Sequence, residues 1–294
     1  MTRTNLFRSA STFLNEAVFY AFVLVLLFAI LAPFAWMFIS SIAPQRELTE
    51  RPPNWIPEEP SVERYEALFF PDSVESSVPI GARKFISGMR NSLIVSTTTM
   101  LVCLVFGTMA AYAIARIPLP GENFFMVGIL GAQMMPIIVI IIPLYLVMQS
   151  LSLIDSLHGL VFLYTGFLLP TVIWIMHSYF KTIPAELEEA AMIDGCSRGG
   201  ALVRVILPLS GPGLVAVAAF AFLSSWNEFF MALIFTGANA KTITVTVTEF
   251  STQFGVDYGL MATGGILGSL PPLVLAFLLQ RYIVQGLTAG ATKG

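Results

Sequence analysis

The sequence predicts an all-α polytopic membrane protein, and three observations carry that reading. Of 294 residues, 56% are hydrophobic and only 11% charged, whereas about a quarter of a soluble domain is charged. The charges fall in clusters between long uncharged runs, and about 20 apolar residues suffice to cross a hydrocarbon core of roughly 30 Å as a helix. Backbone groups in lipid must be satisfied within their own segment, so runs of this length imply helices. The same numbers argue against a soluble globule. With 18 acidic against 15 basic residues and a pI of about 5.4, no basic stripe exists to follow a phosphate backbone, which argues against a nucleic-acid partner.

Six spans are expected in order. Residues 17–45 lie uncharged between Glu16 and Arg46 and give a first span over about 17–39. Its apolar core from Ala17 to Ile39 is longer than a secretory h-region, so in spite of Arg3 and Arg8 ahead of it the helix is expected to be retained. The uncharged runs 91–115, 123–154 and 156–180 give the second, third and fourth spans, at about 92–115, 124–150 and 158–180. A fifth covers about 212–235, interrupted only by Glu228, and a sixth about 260–281. The chain 1–294 is read as a single transmembrane domain.

With the N-terminus inside, cytoplasmic segments hold eight Lys or Arg and external ones seven, six of which sit in the external loop 41–90. Setting that loop aside leaves Lys241 as the one external basic residue and favours both termini inside. The loop itself is proline-rich and acidic from Pro44 to Pro79, with Trp55, Tyr65 and Phe69 interspersed. It reads as an irregular cap with one short helix near Val62–Phe69, serving either as a solvated connector or as a docking surface for an external protein. Two cysteines, Cys103 and Cys196, are too few for a disulfide framework and lack zinc-ligand spacing.

The loop 181–211, between the fourth and fifth spans, carries the most information. Pro184 suits a first helical turn, and Glu186, Glu188 and Glu189 stand where the helix dipole favours negative charge. Leu187, Ala190, Ala191 and Asp194 recur at three- and four-residue steps and make one narrow face. Gly195 can take the left-handed conformation that ends a helix, and Ser197 can cap a second helix running to about Val205, before Pro208 stops it. The expected element is helix, sharp glycine turn, helix. Its acidic character sets it apart from membrane-surface helices, which carry Lys and Arg, so protein docking is the preferred role.

At these residues the chain resembles a known family. Glu189-Ala190-Ala191, then Gly195, then Val205 and Leu207-Pro208, at that spacing, resemble the EAA signature of permease subunits of ATP-binding-cassette importers. Val205 and Cys196 stand where the family favours Ile and Ala, both small apolar exchanges. Ala111-Tyr112-Ala113 with Ala115-Arg116, Pro120-Gly121, the stretch Gln133-Met134-Met135-Pro136 and the tail Gly286-Leu287-Thr288-Ala289-Gly290 resemble the carbohydrate branch, in particular the smaller permease of maltose importers.

The resemblance implies a type I importer permease, paired with a second homologous permease, standing on two cytoplasmic ATPase subunits and fed by an external solute-binding protein. Glu189, Ala190, Ala191, Asp194, Gly195, Leu207 and Pro208 would form the ATPase-coupling element. ATP and magnesium would be bound by the partner subunits, and the solute would be a sugar. The loop 237–258 would face outside and probe the binding protein's cleft, and the tail after Arg281 would lie along the ATPase interface.

The residues themselves agree with a non-enzymatic role. No Gly-x-x-x-x-Gly-Lys-Ser/Thr phosphate cradle is present, Lys181-Thr182 and Lys241-Thr242 following Phe180 and Ala240 instead of glycine. His158 and His177 are the only histidines, and no triad or metal cluster surrounds either in sequence. No catalytic residue, metal or cofactor is therefore assigned. Polar groups inside spans point to a transport path, and Trp226, Asn227, Glu228, Gln133 and Asn91 are the candidates. Asn227 and Glu228 could bind a hydroxylated solute beside the flat face of Trp226; alternatively Glu228 pairs with the second subunit and Trp226 packs at the interface. Gln133 and Asn91 read equally as interhelical glue, and Gly264 with Gly268 as a close-packing step. Two other functions stay open: an importer permease for a glycerol phosphodiester or polyol, and an ion-coupled secondary carrier. The second lacks the buried ionisable groups of an ion relay and has no use for the loop 181–211.

Overall fold

The structure is a computed structural model. It describes the backbone of residues 3–50, 54–71, 80–118, 120–252 and 255–289, and the side chains of that set apart from 3–14, 80, 123, 252, 255 and 281–289. The expected contact of the tail after Arg281 falls on residues whose side chains, and from 290 onward whose backbone as well, lie outside the described residues.

In chain order the helices are α1 (Arg3–Ile42), α2 (Gln45–Thr49), α3 (Glu63–Phe69), α4 (Ile80–Arg83), α5 (Phe85–Arg116), α6 (Glu122–Gln133), α7 (Ile137–Ser150), α8 (Leu157–Phe180), α9 (Ala185–Ile193), α10 (Arg198–Ala201), a π-helical stretch Leu202–Ile206, α11 (Leu207–Leu209), α12 (Gly211–Trp226), α13 (Phe230–Phe235), α14 (Ile243–Thr248) and α15 (Tyr258–Ala289). One antiparallel pair joins β1 (Ser251–Thr252) to β2 (Gly255–Val256), with Ser251 opposite Val256.

Four described helices are long and apolar enough to cross a membrane: Asn15–Ile42, Phe85–Arg116, Leu157–Phe180 and Tyr258–Gln280. Two bent pairs, Phe124–Gln133 with Ile137–Ser150 at 90° and Arg198–Leu209 with Gly211–Trp226 at 82°, raise the number to six if each is one span. The expected third span is therefore broken. Pro136 is extended (φ −61°, ψ 129°) and disfavours helix at Met135 before it. The two halves, of 12 and 14 residues, reach only about 18 and 21 Å each. The fifth span is broken too, at 227–229, between α12 and α13.

The described residues form two compact units, 1–83 with 250–267 and 84–249 with 268–294. In the first unit α1 exposes Phe22, Leu26, Phe28 and Leu31, an apolar surface suited to lipid or to another membrane subunit. Arg64 of α3 fastens this unit: its guanidinium donates 2.5 Å to the Ala43 carbonyl and lies 3.5 Å from Asp257. A Cβ on Gly259 would come within 2.1 Å of that guanidinium, so glycine is what lets Arg64 lie across the start of α15.

The second unit is built on α5 and α8, which pack at a glycine. A Cβ on Gly107 would lie 2.5 Å from Val172 Cγ1, and this close approach seats Cys103, Ala111 and Tyr112 of α5 against Val172, Met176 and Phe180 of α8, with Val217 and Ala221 of α12 completing the cluster. A second cluster, of Val95, Met148, Leu160, Tyr164, Met231 and Phe235, fills the other end. The period-two Thr/Val run 242–248 forms the short helix α14, with Ile243, Val245 and Thr246 buried.

Candidate functional site

The element expected between the fourth and fifth spans forms as helix, glycine turn, helix. After α8 ends, Pro184 is the N-cap of α9 (φ −55°, ψ 134°). At the other end Gly195 takes φ +89°, the Gly195 N–H donates to the Met192 carbonyl at 3.1 Å and the Cys196 N–H to the Ala191 carbonyl at 3.0 Å. These are the paired bonds of a left-handed glycine cap. Ser197 Oγ then accepts from the Gly200 N–H at 3.1 Å and starts α10.

Pro208 does not end the second helix as expected. The Leu207 N–H reaches back to the Leu202 carbonyl in a π-type bond, and the chain continues through Pro208 to Leu209 before the 82° bend into α12. A proline lacks the N–H of the regular ladder and crowds the carbonyl four residues before it, and the wider π turn accommodates both.

α9 has two unlike faces. Glu186, Leu187, Glu189, Ala190, Ile193, Asp194 and Gly195 are exposed, Ile193 at 86%; Ala191 and Leu207 are half-buried and Pro208 is exposed. On the opposite side Glu188 is 5% exposed. Its carboxylate accepts a short hydrogen bond from the Tyr112 hydroxyl and lies 3.2 Å from Arg116 Nε. Arg116 also donates 2.8 Å to the Ile183 carbonyl, and the Arg198 carbonyl lies 3.3 Å from the Tyr112 hydroxyl. The end of α5 thus holds both arms of the loop from behind.

Beside it, Glu122 at the start of α6 accepts from Lys181 at 2.5 Å and lies 3.0 Å from His177 Nε2. Lys181, and after it His177, hold the Glu122 carboxyl below the ordinary carboxylate range.

The polar residues expected on the transport path take different places. Trp226 is 2% exposed, stacks on Phe222 at 5.7 Å and donates its indole N–H to the Gly268 carbonyl at 3.1 Å, so its ring is engaged in packing and presents no free face to a sugar. Asn91, also buried, donates at 3.0 Å to the carbonyls of both Asn239 and Lys241. Gln133 joins α6 to α8 through the Phe167 carbonyl, 3.1 Å, and Thr171 Oγ1, 2.5 Å. Glu228 accepts from the N–H groups of Met231 and Ala232 at 2.8 and 3.0 Å and caps α13. Asn227, at the break, is exposed.

At the opposite end of α8, Asp155 accepts from the N–H groups of Gly237, Ala238, Asn239 and Ala240 at 2.8 to 3.1 Å. Burial works against the charged form, but these four donors outweigh it and hold the Asp155 pKa down at about 2. A carboxyl with a folded pKa below its unfolded value stabilises fully above about pH 4, and that stabilisation is lost as pH falls towards 2. Asp155→Ala is expected to cost about 1–2 kcal/mol. In thermal unfolding of the solubilised protein, the native chain should lose more stability between about pH 4 and 2 than Asp155→Asn, which has no carboxyl to titrate.

Glu188, Tyr112, Arg116, Glu122 and Asp155 are functional candidates that the structure adds to those expected from the sequence. Tyr112 and Arg116 carried a signal, being four residues apart on one helix face where a span ends.

Residues 79–289 match the family described as binding-protein-dependent transport system inner membrane component. The chain belongs to that family. It is a membrane-spanning permease component of such a transport system. It is 34% identical over 271 residues to the diacetylchitobiose uptake system permease protein of Streptomyces coelicolor, covering 92% of this chain and 94% of that one. It is 35% identical over 267 residues to the trehalose transport system permease protein of Mycobacterium tuberculosis, covering 90% and 93%. Its fold is that of a chain in the crystal structure of a bacterial ABC transporter involved in the import of the acidic polysaccharide alginate, with a TM-score of 0.71 at 20% identity over 96% of this chain and 99% of that one.

Proposed function

We propose that this permease carries a di- or oligosaccharide inward across the cytoplasmic membrane of a prokaryote, with both termini cytoplasmic, driven by ATP hydrolysis on two partner ATPase subunits. A second, homologous permease completes the membrane pathway, and an external solute-binding protein delivers the sugar. The observation that carries this reading is α9. It presents an exposed acidic and apolar face through Glu189, Ala190 and Ile193 while Glu188 behind it is clamped to α5. A protein groove with basic residues at its edge complements that face. The sugar class follows the relatives named for diacetylchitobiose and trehalose uptake. Lys and Arg outside loop 41–90 favour termini inside.

In this reading Glu189, Ala190, Ala191, Asp194, Gly195, Leu207 and Pro208 make the ATPase-coupling element. Movement of that element switches the spans between two arrangements biased by nucleotide. Asn227, exposed at the break after α12, is the leading path residue of the five candidates, and Gln133 the next. ATP and magnesium belong to the partner subunits.

The test is to express the tagged chain in its native host, solubilise it gently and identify what co-purifies, then reconstitute that assembly in vesicles. Recovery of an ATPase, a second permease and a solute-binding protein, with sugar accumulating only when ATP is supplied on the ATPase side, is the expected result. A chain recovered alone, with transport that collapses when an ion gradient is removed, would overturn the reading.

A further inference from the structure

α9 is joined to its neighbours in the chain by two short turns. It follows α8 by four residues ending in Pro184, and it is separated from α10 by the Gly195 turn. Its one buried side chain is Glu188, and that side chain is gripped by Tyr112 and Arg116 of α5 rather than by α8 or α12.

α5 is 32 residues long without an internal proline, roughly 48 Å of continuous helix. Its far end grips the segment after the fifth span. Asn91 donates to the carbonyls of Asn239 and Lys241, Ser92 Oγ accepts from the Ile243 N–H at 2.8 Å, and a Cβ on Gly88 would lie 2.5 Å from Thr246 Oγ1. Between the two ends, Gly107 locks α5 onto α8.

We propose that Arg116 and Glu188 are a positioning pair that makes α5 the strut through which displacement of α9 reaches the segment Asn239–Thr246 on the opposite membrane face. The inference rests on the reading that α9 docks on an ATPase subunit. An ion pair with both side chains largely removed from water holds a fixed geometry, and removing one partner leaves the other buried and uncompensated. A helix without a break transmits that displacement along its length. The segment at its far end then moves with the ATPase cycle through α5, beside whatever passes along the chain from α9 itself.

The full importer is reconstituted in vesicles with saturating solute-loaded binding protein, and ATP hydrolysed per solute imported is measured. Glu188→Gln is expected to keep its ATPase subunits on purification yet raise that ratio at least about fivefold. The exchange Arg116→Glu with Glu188→Arg should recover at least half of the loss, a rescue that simple damage to the fold does not give. Asn91→Ala at the far end should also raise the ratio, and Asn91→Ala with Glu188→Gln should be no worse than the worse single variant, because a strut cut at one end gains nothing from a second cut. Native coupling in Glu188→Gln, no rescue by the exchange, or multiplying effects in the double variant would each overturn the proposal. If Glu188→Gln fails to assemble, Arg116→Lys, which keeps the charge, should retain most coupling, and full loss there has the same overturning force. Glu189→Lys on the exposed face separates the two readings: retention of the ATPase subunits in that variant counts against docking through α9 whatever Glu188→Gln does.

Discussion

Gly195→Val is expected to leave the permease inserted and its spans packed while lowering ATP-driven uptake at least about tenfold. Gly195 sits at φ +89°, and a Cβ there would meet nothing within 4 Å. The substitution therefore meets open space, and its whole cost arises from the backbone. A β-branched residue held in the left-handed region costs of order 1–3 kcal/mol. That is small against the packing of α5, α8 and α12, but it falls entirely on the turn that fixes the angle between α9 and α10. A penalty of about 1.4 kcal/mol is a tenfold shift in population, and it shifts the loop away from the geometry set by the Gly195 and Cys196 hydrogen bonds. Gly195→Asn is the control, since asparagine tolerates this region better, and it should retain several-fold more uptake. Uptake per inserted molecule, measured beside thermal unfolding of the solubilised protein, checks the claim. Equal uptake in Gly195→Val and the native chain would show that the turn does not set coupling.

The spans and the loop were legible in the sequence for different reasons. Charge-free runs bounded by Arg90 and Arg116, or by Asp155 and Lys181, marked α5 and α8 because lipid leaves a chain no alternative to helix over that length. Length and apolarity carry no information on breaks: with Pro136 inside it, the run 124–150 still satisfies both as one helix. The glycine cap and the Ser197 cap were legible because they act within five residues. The pairing of Glu188 with Tyr112 and Arg116 was not, because Glu188 and Tyr112 are 76 positions apart and nothing local joins them. The Thr/Val run 242–248 shows the reverse case. Its period-two pattern matches a strand, and the tertiary environment decides for a short helix, with Thr246 seated against Gly88.

Glu228→Leu should lower stability by about 2–4 kcal/mol, and Glu228→Gln by less, with little change in the solute concentration for half-maximal uptake. A carboxylate inside a span costs roughly 2.5–3.5 kcal/mol on insertion scales unless it finds partners. Glu228 finds them in the break between α12 and α13, where its two oxygens accept the Met231 and Ala232 N–H groups. Two orphan donors at the start of a helix are thereby satisfied by a charged acceptor, the stronger sort of hydrogen bond. Thr244 Oγ1 donates to the Glu228 carbonyl at 2.9 Å, so the same residue also ties the break to α14. Leucine removes the acceptor and leaves both amides unpaired in an apolar setting, whereas glutamine keeps one neutral acceptor. A residue that binds solute behaves differently: Glu228→Gln would then shift half-saturation severalfold at unchanged thermal stability. Measuring both quantities on both variants decides between cap and ligand contact, and the geometry at Met231 and Ala232 favours the cap.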